Sequence, residues 1–453
     1  MKISEMLKAT AGRLISGYPG SDIDPAAFST DSRTIGEGGF FIPVKGANFN
    51  GEEFVEDALK NGAAGAFVTD NTAYSSMRGK IIIKAKETTR ALQDLAYYHR
   101  MRFKVPIVGV TGSNGKTTVK DMIAGVLSSK FNVLKNEGTK NNHIGVPLTL
   151  LKLNDSHDIC VIEMGTSHQG EIRLLAGIAS PTIAVITNIG PSHLEFLKDI
   201  KGVFTAKREI LTALDRDSMA ILNGDDEYLG TVKSKVFKIM RFGFNAGNDF
   251  QASGVSAAGS KIRFTLNERS PFVLNLLGRH NVYNAMAAIA VAYNFDISYM
   301  ETKKALSEYL PANMRLNARQ VGDVTVIDDV YNSNPLSMRF AIEALSGYPA
   351  KGRWIVSADM LELGQREREF HGMIGETIAQ SGLSGLITFG DLSRYTSSRA
   401  LECGMDKNRV WHCSERGQVA GILRKFMEKG DAVLVKGSRA MKMEEVIENL
   451  KER

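Results

Sequence analysis

Only three cysteines occur in 453 residues, Cys160, Cys403 and Cys413, and their spacing is irregular. That excludes a disulfide framework and a cysteine-built zinc site, and it fits a reducing compartment. Cys160 lies inside the apolar run Asp158-Ile-Cys-Val-Ile-Glu163 and reads as core. Long apolar runs are missing too. No window reaches the ~18 apolar residues of a membrane span, and the opening Met-Lys-Ile-Ser-Glu-Met has no signal-peptide stretch. A cytoplasmic location is expected. Nor does one sign of charge dominate: 56 basic residues face 50 acidic ones, a net charge of +6. Without a long basic run or an aromatic-interleaved groove pattern, no nucleic-acid partner is expected. An anionic, phosphorylated substrate accounts for the small excess equally well. Histidine and cysteine are nowhere clustered at metal-ligand spacing, which argues against zinc hydrolysis.

What is present is an ordinary globular balance, 43% hydrophobic and 23% charged. The length suits two or three domains. The first hundred residues read as a small α/β unit, with strands at Phe40–Val44, Ala64–Thr69 and Ile81–Ile83 and a helix over Glu52–Lys60. Phe103-Lys-Val-Pro106 reads as a hinge, because Pro106 holds Val105 extended. Strands then alternate with helices, which predicts a largely parallel sheet. They fall at Ile107–Val110, Ile159–Ile162, Ile183–Thr187 and Met219–Leu222, and an Ala-rich helix covers Asn281–Asn294. A third α/β unit begins near Asn313, with strands at Val324–Ile327, Trp354–Ser357, Leu386–Phe389 and Ala432–Val435. The expected domains are residues 1–104, 105–312 and 313–453, and a monomer is expected.

The strongest local signal is Gly109-Val-Thr-Gly-Ser-Asn-Gly-Lys-Thr-Thr118, after a strand and before a helix whose Val119, Met122, Ile123 and Val126 fall at helical spacing. It reads as a phosphate loop running from Gly109, with Val110 where the usual spacing has glycine. Gly112, Ser113, Asn114 and Gly115 form its turn. Their backbone N–H groups and the helix N-terminus suit phosphate oxygens. Lys116 reaches the β- and γ-phosphates, Thr117 offers a hydroxyl to Mg²⁺, and Thr118 closes the motif. Glu163 ends the next strand, where a carboxylate faces the nucleotide crevice and offers hard oxygens to magnesium. His193 follows the third strand and is either a ligand or substrate contact or an ordinary structural histidine.

In order along the chain come Asn141-Asn-His-Ile-Gly145, Glu163-Met-Gly165, Thr187-Asn-Ile-Gly190 with His193-Leu-Glu195, and Leu277-Gly-Arg-His-Asn281. Asp328-Asp329, Tyr331-Asn-Ser-Asn-Pro335 with Ser337-Met338, Asp359-Met-Leu-Glu-Leu-Gly364 and Lys436-Gly-Ser-Arg439 with Met443-Glu444 continue the series. With the phosphate loop, these segments resemble the Mur ligase family, the ATP-dependent amide-forming enzymes of peptidoglycan precursor assembly. The likeness spans nearly the whole chain. The Tyr331–Met338 and Asp359–Gly364 segments resemble the branch that adds D-alanyl-D-alanine to UDP-N-acetylmuramoyl-tripeptide. Folate polyglutamate ligases share the ATP chemistry but not these segments or Ser29–Gly46, and a non-enzymatic nucleotide switch would not need three such domains.

The resemblance implies a three-domain α/β fold: an N-terminal domain for the UDP end, a central phosphate-loop ATPase domain and a Rossmann-like C-terminal domain that closes over the nucleotide. It implies ATP and Mg²⁺ as cofactors, with Thr117 and Glu163 on one magnesium and His193 beside a second. By the same likeness Ser32 and Arg33 lie near uridine diphosphate, Asn281 contacts adenine, and Arg315 and Asp329 reach the nucleotide from the third domain. Lys207, fourteen residues after His193, matches a lysine that family members carry as a carbamate. Only as that anion would it hold a metal. Arg439 or Lys436 is a candidate partner for the dipeptide's terminal carboxylate.

Overall fold

The computed structural model describes residues 1–46, 49–70 and 79–451. They form three α/β units, each built on its own sheet. In the first, the strand order is 13–16, 81–84, 65–68, 40–41, 28–29. Gly65–Val68 is buried throughout and pairs in parallel on both sides, as an uninterrupted apolar run should. The strand expected at Phe40–Val44 ends at Phe41, close to Pro43, which has no N–H to give a ladder. The helix Thr88–Arg100 was not foreseen. It buries Ala91, Leu92, Leu95 and Ala96 and packs on both units, against the helix Ile3–Thr10 of the first and the helices Gly145–Leu150 and Glu171–Ala179 of the second. At its end Arg100 Nε–H donates to Ala179 O at 2.9 Å and His99 Nε2 lies 2.8 Å from Leu153 O.

The central sheet has nine strands, in the order 270–274, 261–266, 250–258, 238–243, 219–223, 183–186, 107–111, 159–163, 133–135. Seven strands, from 133–135 through to 250–258, pair in parallel, as expected. The remaining wing is antiparallel, with Phe250–Ala258, Lys261–Leu266 and Ser270–Leu274 folded as a meander. In Lys261–Leu266 the burial alternates, Ile262, Phe264 and Leu266 in and Lys261 and Arg263 out. That is the period-two pattern of a half-buried strand. Asn267 and Glu268, both at positive φ, make the tight turn that joins the last two strands. The helix Asn281–Asn294 is buried over most of its length and packs on the helix Lys116–Leu127. Its abundant alanines permit that close approach.

The third sheet orders its strands 317–321, 324–329, 432–436, 353–358, 385–389, 410–413, antiparallel only at the first pair. Its two outer strands, Asn317–Val321 and Val410–Cys413, were not anticipated: both are short and partly exposed, and the first carries few apolar residues. Among the described residues no helix is long and apolar enough to cross a membrane.

Candidate active site

In the central sheet, strands 107–111 and 183–186 are neighbours, but the chain leaves them toward opposite edges, to strand 133–135 and to strand 219–223. Such a switch point opens a crevice at the strands' C-terminal ends. The turn Gly112–Gly115 sits there. Gly109 does not belong to it. The strand runs through Thr111, and a Cβ at Gly109 would lie 3.0 Å from Ile210 Cδ1 and 3.3 Å from Met164 Cε, so this glycine serves close packing in the sheet. The loop glycines are Gly112 (φ +145°) and Gly115 (φ +82°). A Cβ would stand 2.0 Å from Thr187 Oγ1 at the first and 2.5 Å from Asn284 Oδ1 at the second. Only glycine fits both the space and the backbone.

The loop is tied to the segment after strand 183–186. Ser113 N–H donates to Asn188 O at 2.9 Å, Asn114 N–H to Asn188 Oδ1 at 3.0 Å, and Ser113 Oγ–H to Gly190 O at 2.9 Å. Lys116 arches over the turn and gives its ammonium to Gly112 O at 2.9 Å and Ser113 O at 3.2 Å. Burial lowers its pKa, Glu163 opposes that shift, and Arg315 adds to it. Thr117 donates to Glu163 Oε2 at 2.8 Å, and Asn141 Nδ2–H to Glu163 Oε1 at 2.7 Å. Glu163 is buried, and Asn136 holds its backbone from both sides: Glu163 N–H donates to Asn136 Oδ1 at 2.9 Å, and Asn136 Nδ2–H to Glu163 O at 3.1 Å. Behind them Lys120, also buried, donates to Asn136 O at 2.9 Å and Gly138 O at 3.0 Å.

The third unit meets this floor. Arg315 Nη2–H donates to Thr117 Oγ1 at 3.1 Å, and the guanidinium lies 4.1 Å from the Tyr331 ring centroid. Asn334 Nδ2–H donates to Asn114 Oδ1 at 2.9 Å. Asp329 and Lys436 end adjacent parallel strands and pair directly across them, Nζ to Oδ2 at 2.6 Å. Burial raises the Asp329 pKa, with Lys436 and Arg315 pulling the other way. Between the units lies a polar cavity of about 460 Å³. It is lined by Ser113, Asn114, Gly115, Lys116, Thr117, Thr118, Glu163, His193, Asn281, Arg315 and Asp329, so most of the candidate residues converge on one space.

The surroundings of the individual candidates differ. Asn281 lines the cavity, but its amide donates to Leu277 O at 2.7 Å and its carbonyl accepts from Asn284 at 2.8 Å. His193 sits at the cavity edge, its Nδ1 2.5 Å from Glu362 Oε2 of the third unit. That hydrogen bond holds the Glu362 carboxyl below its usual pKa. The Lys207 side chain is buried without a hydrogen bond or ion pair to another described residue, and Lys207 does not itself line the cavity. Burial, reinforced by the charge of Lys116, drives its pKa well below the usual lysine value. Ser32 and Arg33 lie on the first unit, outside the cavity. Arg33 is exposed and forks onto Asp31 at 2.9 and 2.8 Å. Arg439 is taken up by Glu444 at 2.9 Å and Lys436 by Asp329.

Sequence reasoning gave no role to Lys120, Asn136, Asn334 or Glu362. Asn334 and Glu362 lie in segments that carry the family resemblance, though neither contact was read there, and Lys120 stood out only as a lysine within the apolar face of a helix. The His280–Phe340 stack, with ring centroids 4.8 Å apart on the cavity wall, joins residues 60 positions apart and left no signal.

A glycine loop at a switch point, roofed by a second α/β unit that touches the loop's own threonine, defines a nucleotide-handling protein whose site is shared between two domains. Family models narrow the class. Residues 110–292 match the Mur ligase middle domain and 314–439 the Mur ligase glutamate ligase domain. The UDP-N-acetylmuramoyl-tripeptide--D-alanyl-D-alanine ligase of Bacillus subtilis is 38% identical, over 99% of this chain and 97% of its own. The chain belongs to the Mur ligase family. Among solved structures, MurF of Acinetobacter baumannii superposes with a TM-score of 0.91 at 30% identity, covering 100% of this chain and 99% of its own. The MurF ligase of Thermotoga maritima in complex with ADP gives 0.84 at 28% identity, covering 95% and 99%.

Proposed function

We propose that this chain joins D-alanyl-D-alanine to UDP-N-acetylmuramoyl-tripeptide with ATP, releasing ADP and phosphate. The observation that carries the reading is the Arg315–Thr117–Glu163 chain of contacts, which ties a phosphate-loop hydroxyl to a buried carboxylate and a cation from the facing unit. The domains are residues 1–104 for the UDP end, with Ser32 and Arg33 beside it, 105–312 for ATP, and 313–453 for closure. It acts as a monomer. Its place is the cytoplasm.

A free carboxylate is a poor electrophile, and amide formation needs it activated. A carboxylate oxygen of the tripeptide attacks the γ-phosphorus of ATP, ADP departs, and an acyl phosphate results. The amine of the dipeptide then attacks the acyl carbon, phosphate leaves, and the amine proton goes to solvent or phosphate. The protein's work is alignment and charge neutralisation. Lys116, released from its own loop carbonyls, meets the transferring phosphoryl group. Arg315 meets the phosphates from the third domain, and Asn281 faces the adenine end.

Thr117 and Glu163 present hard oxygens 2.8 Å apart. Among the described residues no three His, Cys, Asp or Glu side chains gather as a metal cage. That donor set fits magnesium, which keeps several waters and takes phosphate oxygens rather than filling an all-protein cage. Thr117 and Glu163 would hold one ion, His193 and Lys207 a second, and bound there they supply charge neutralisation on the phosphates. Lys207 suits the carbamate role because burial favours its neutral amine, the form that adds CO₂.

Phosphate release measured with the tripeptide and each of D-Ala-D-Ala, D-Ala, L-Ala-L-Ala and L-lysine tests the reading. Release should require D-Ala-D-Ala. Equal activity with L-lysine on the dipeptide acceptor would assign the chain to another step.

A further inference from the structure

The loop Asp359–Gly364 belongs to the third unit, yet its tip rests on the turn that carries His193. Besides the carboxylate contact to His193 Nδ1 at 2.5 Å, the Glu362 carbonyl accepts the Glu195 N–H at 3.1 Å. Both members of the pair stand on left-handed backbone, with φ +53° at His193 and +62° at Glu362. For residues other than glycine this conformation costs free energy, and it persists only where the surroundings over-determine it. They do so here. Met360 N–H donates to His371 Nε2 at 3.0 Å, Leu361 N–H to Ser438 Oγ at 2.9 Å, and Ser438 N–H to Asp359 O at 3.0 Å. His371 is buried and gives its other ring nitrogen to Glu367 O at 2.7 Å, so its tautomer is set by the scaffold.

We propose that Glu362 is a positioning residue for the ligation, carried across by the third unit to take the Nδ1–H of His193 and leave Nε2 as the nitrogen open to the cavity. His193 is then fully oriented only while the two units are together. The idea rests on the ligase reading above. Carboxylate partners of this kind fix ring orientation and tautomer for histidines that serve a site. The left-handed glutamate follows from the same need: glycine would hold this backbone without strain but would bring no carboxylate.

The test uses the full-length protein and the variants Glu362→Gly, Glu362→Gln, His193→Ala and the double variant Glu362→Gly/His193→Ala. Glu362→Gly should melt at or above the wild-type temperature, because glycine relieves the backbone. Its kcat should nevertheless fall about tenfold or more, with KM for ATP within about twofold. Glu362→Gln, which keeps an acceptor oxygen, should fall less. Adding Glu362→Gly to His193→Ala should cost nothing further. Small-angle scattering with ADP bound reads the same cycle without turnover: each single variant and the double should lose the same share of compaction. Wild-type kcat in Glu362→Gly, a melting temperature that drops along with its rate, or losses that multiply in the double variant would each overturn the proposal. Should the wild type release no phosphate with D-Ala-D-Ala, the ligase reading fails instead, and the scattering cycle still decides the role of Glu362.

Discussion

Replacing Asp329 by alanine isolates the ion pair at the roof of the cavity. Lys436 is 2% exposed in its side chain and Asp329 13%, with Nζ 2.6 Å from Oδ2. At an effective dielectric of 20 that separation corresponds to about 6 kcal/mol of gross attraction, set against a desolvation cost of several kcal/mol per ion. In Asp329→Ala the ammonium keeps only the Asn332 carbonyl, at 2.9 Å. Breaking a buried pair from one side costs about 3–5 kcal/mol, which should lower the melting of the third unit by about 10 °C or more. Lys436→Met should cost less. Asp329 keeps the Leu316 N–H at 3.2 Å, and burial already raises its pKa, so without Lys436 it can take a proton and lose its charge. The double variant Asp329→Leu/Lys436→Met should recover at least half of the loss, since an apolar pair of similar volume often matches a buried ion pair. All three should turn over poorly, because both side chains line the cavity. Calorimetry on the four proteins decides the matter. An Asp329→Ala protein melting within about 2 °C of wild type, or a double variant no better than the worse single, would refute the reasoning.

Lys116→Ala should leave the fold intact, because its ammonium binds only its own loop. Ligation should fall about a hundredfold or more with loss of a charge-assisted contact to the transferring phosphoryl group, and near-normal turnover would remove Lys116 from the chemistry. Lys207→Ala should be nearly inactive and partly restored by a short carboxylic acid in the buffer. An unmodified Lys207 mass together with a normally active alanine variant would exclude the carbamate.

The strands with continuous apolar runs, such as Ile159–Glu163, Ile183–Ile186 and Ala432–Lys436, were legible because both their faces are buried. The meander Phe250–Leu274 was missed, since its strands alternate buried and exposed residues and lack the continuous apolar runs that marked the parallel strands. Thr88–Arg100 was missed because its outward face hides Gln93, His99 and Arg100 against the second unit, and polar residues rarely advertise burial. In the site, the residues that touch the cavity through a motif were visible: Gly115, Lys116, Thr117, Glu163 and Asp329. Those that act through a fold-dependent meeting were not. Asn334 reaches Asn114 across 220 positions and Glu362 reaches His193 across 169. Nothing local in either segment encodes such a meeting. Gly109 shows the opposite error, a glycine assigned to phosphate that the sheet needs for packing against Ile210 and Met164.

The buried Lys120 carries a consequence for how the molecule breathes. To free the start of the 136–142 segment, the Lys120 ammonium must leave the Asn136 and Gly138 carbonyls, and Asn136 must let go of the Glu163 backbone, so Asn136 opens together with the helix Lys116–Leu127 and the strand Ile159–Glu163. The amide of Glu163, given to Asn136, therefore belongs among the slowest to exchange with solvent deuterium, alongside the core strands rather than with the loops. The floor that aligns phosphate is thereby kept still by a lysine that never touches the cavity.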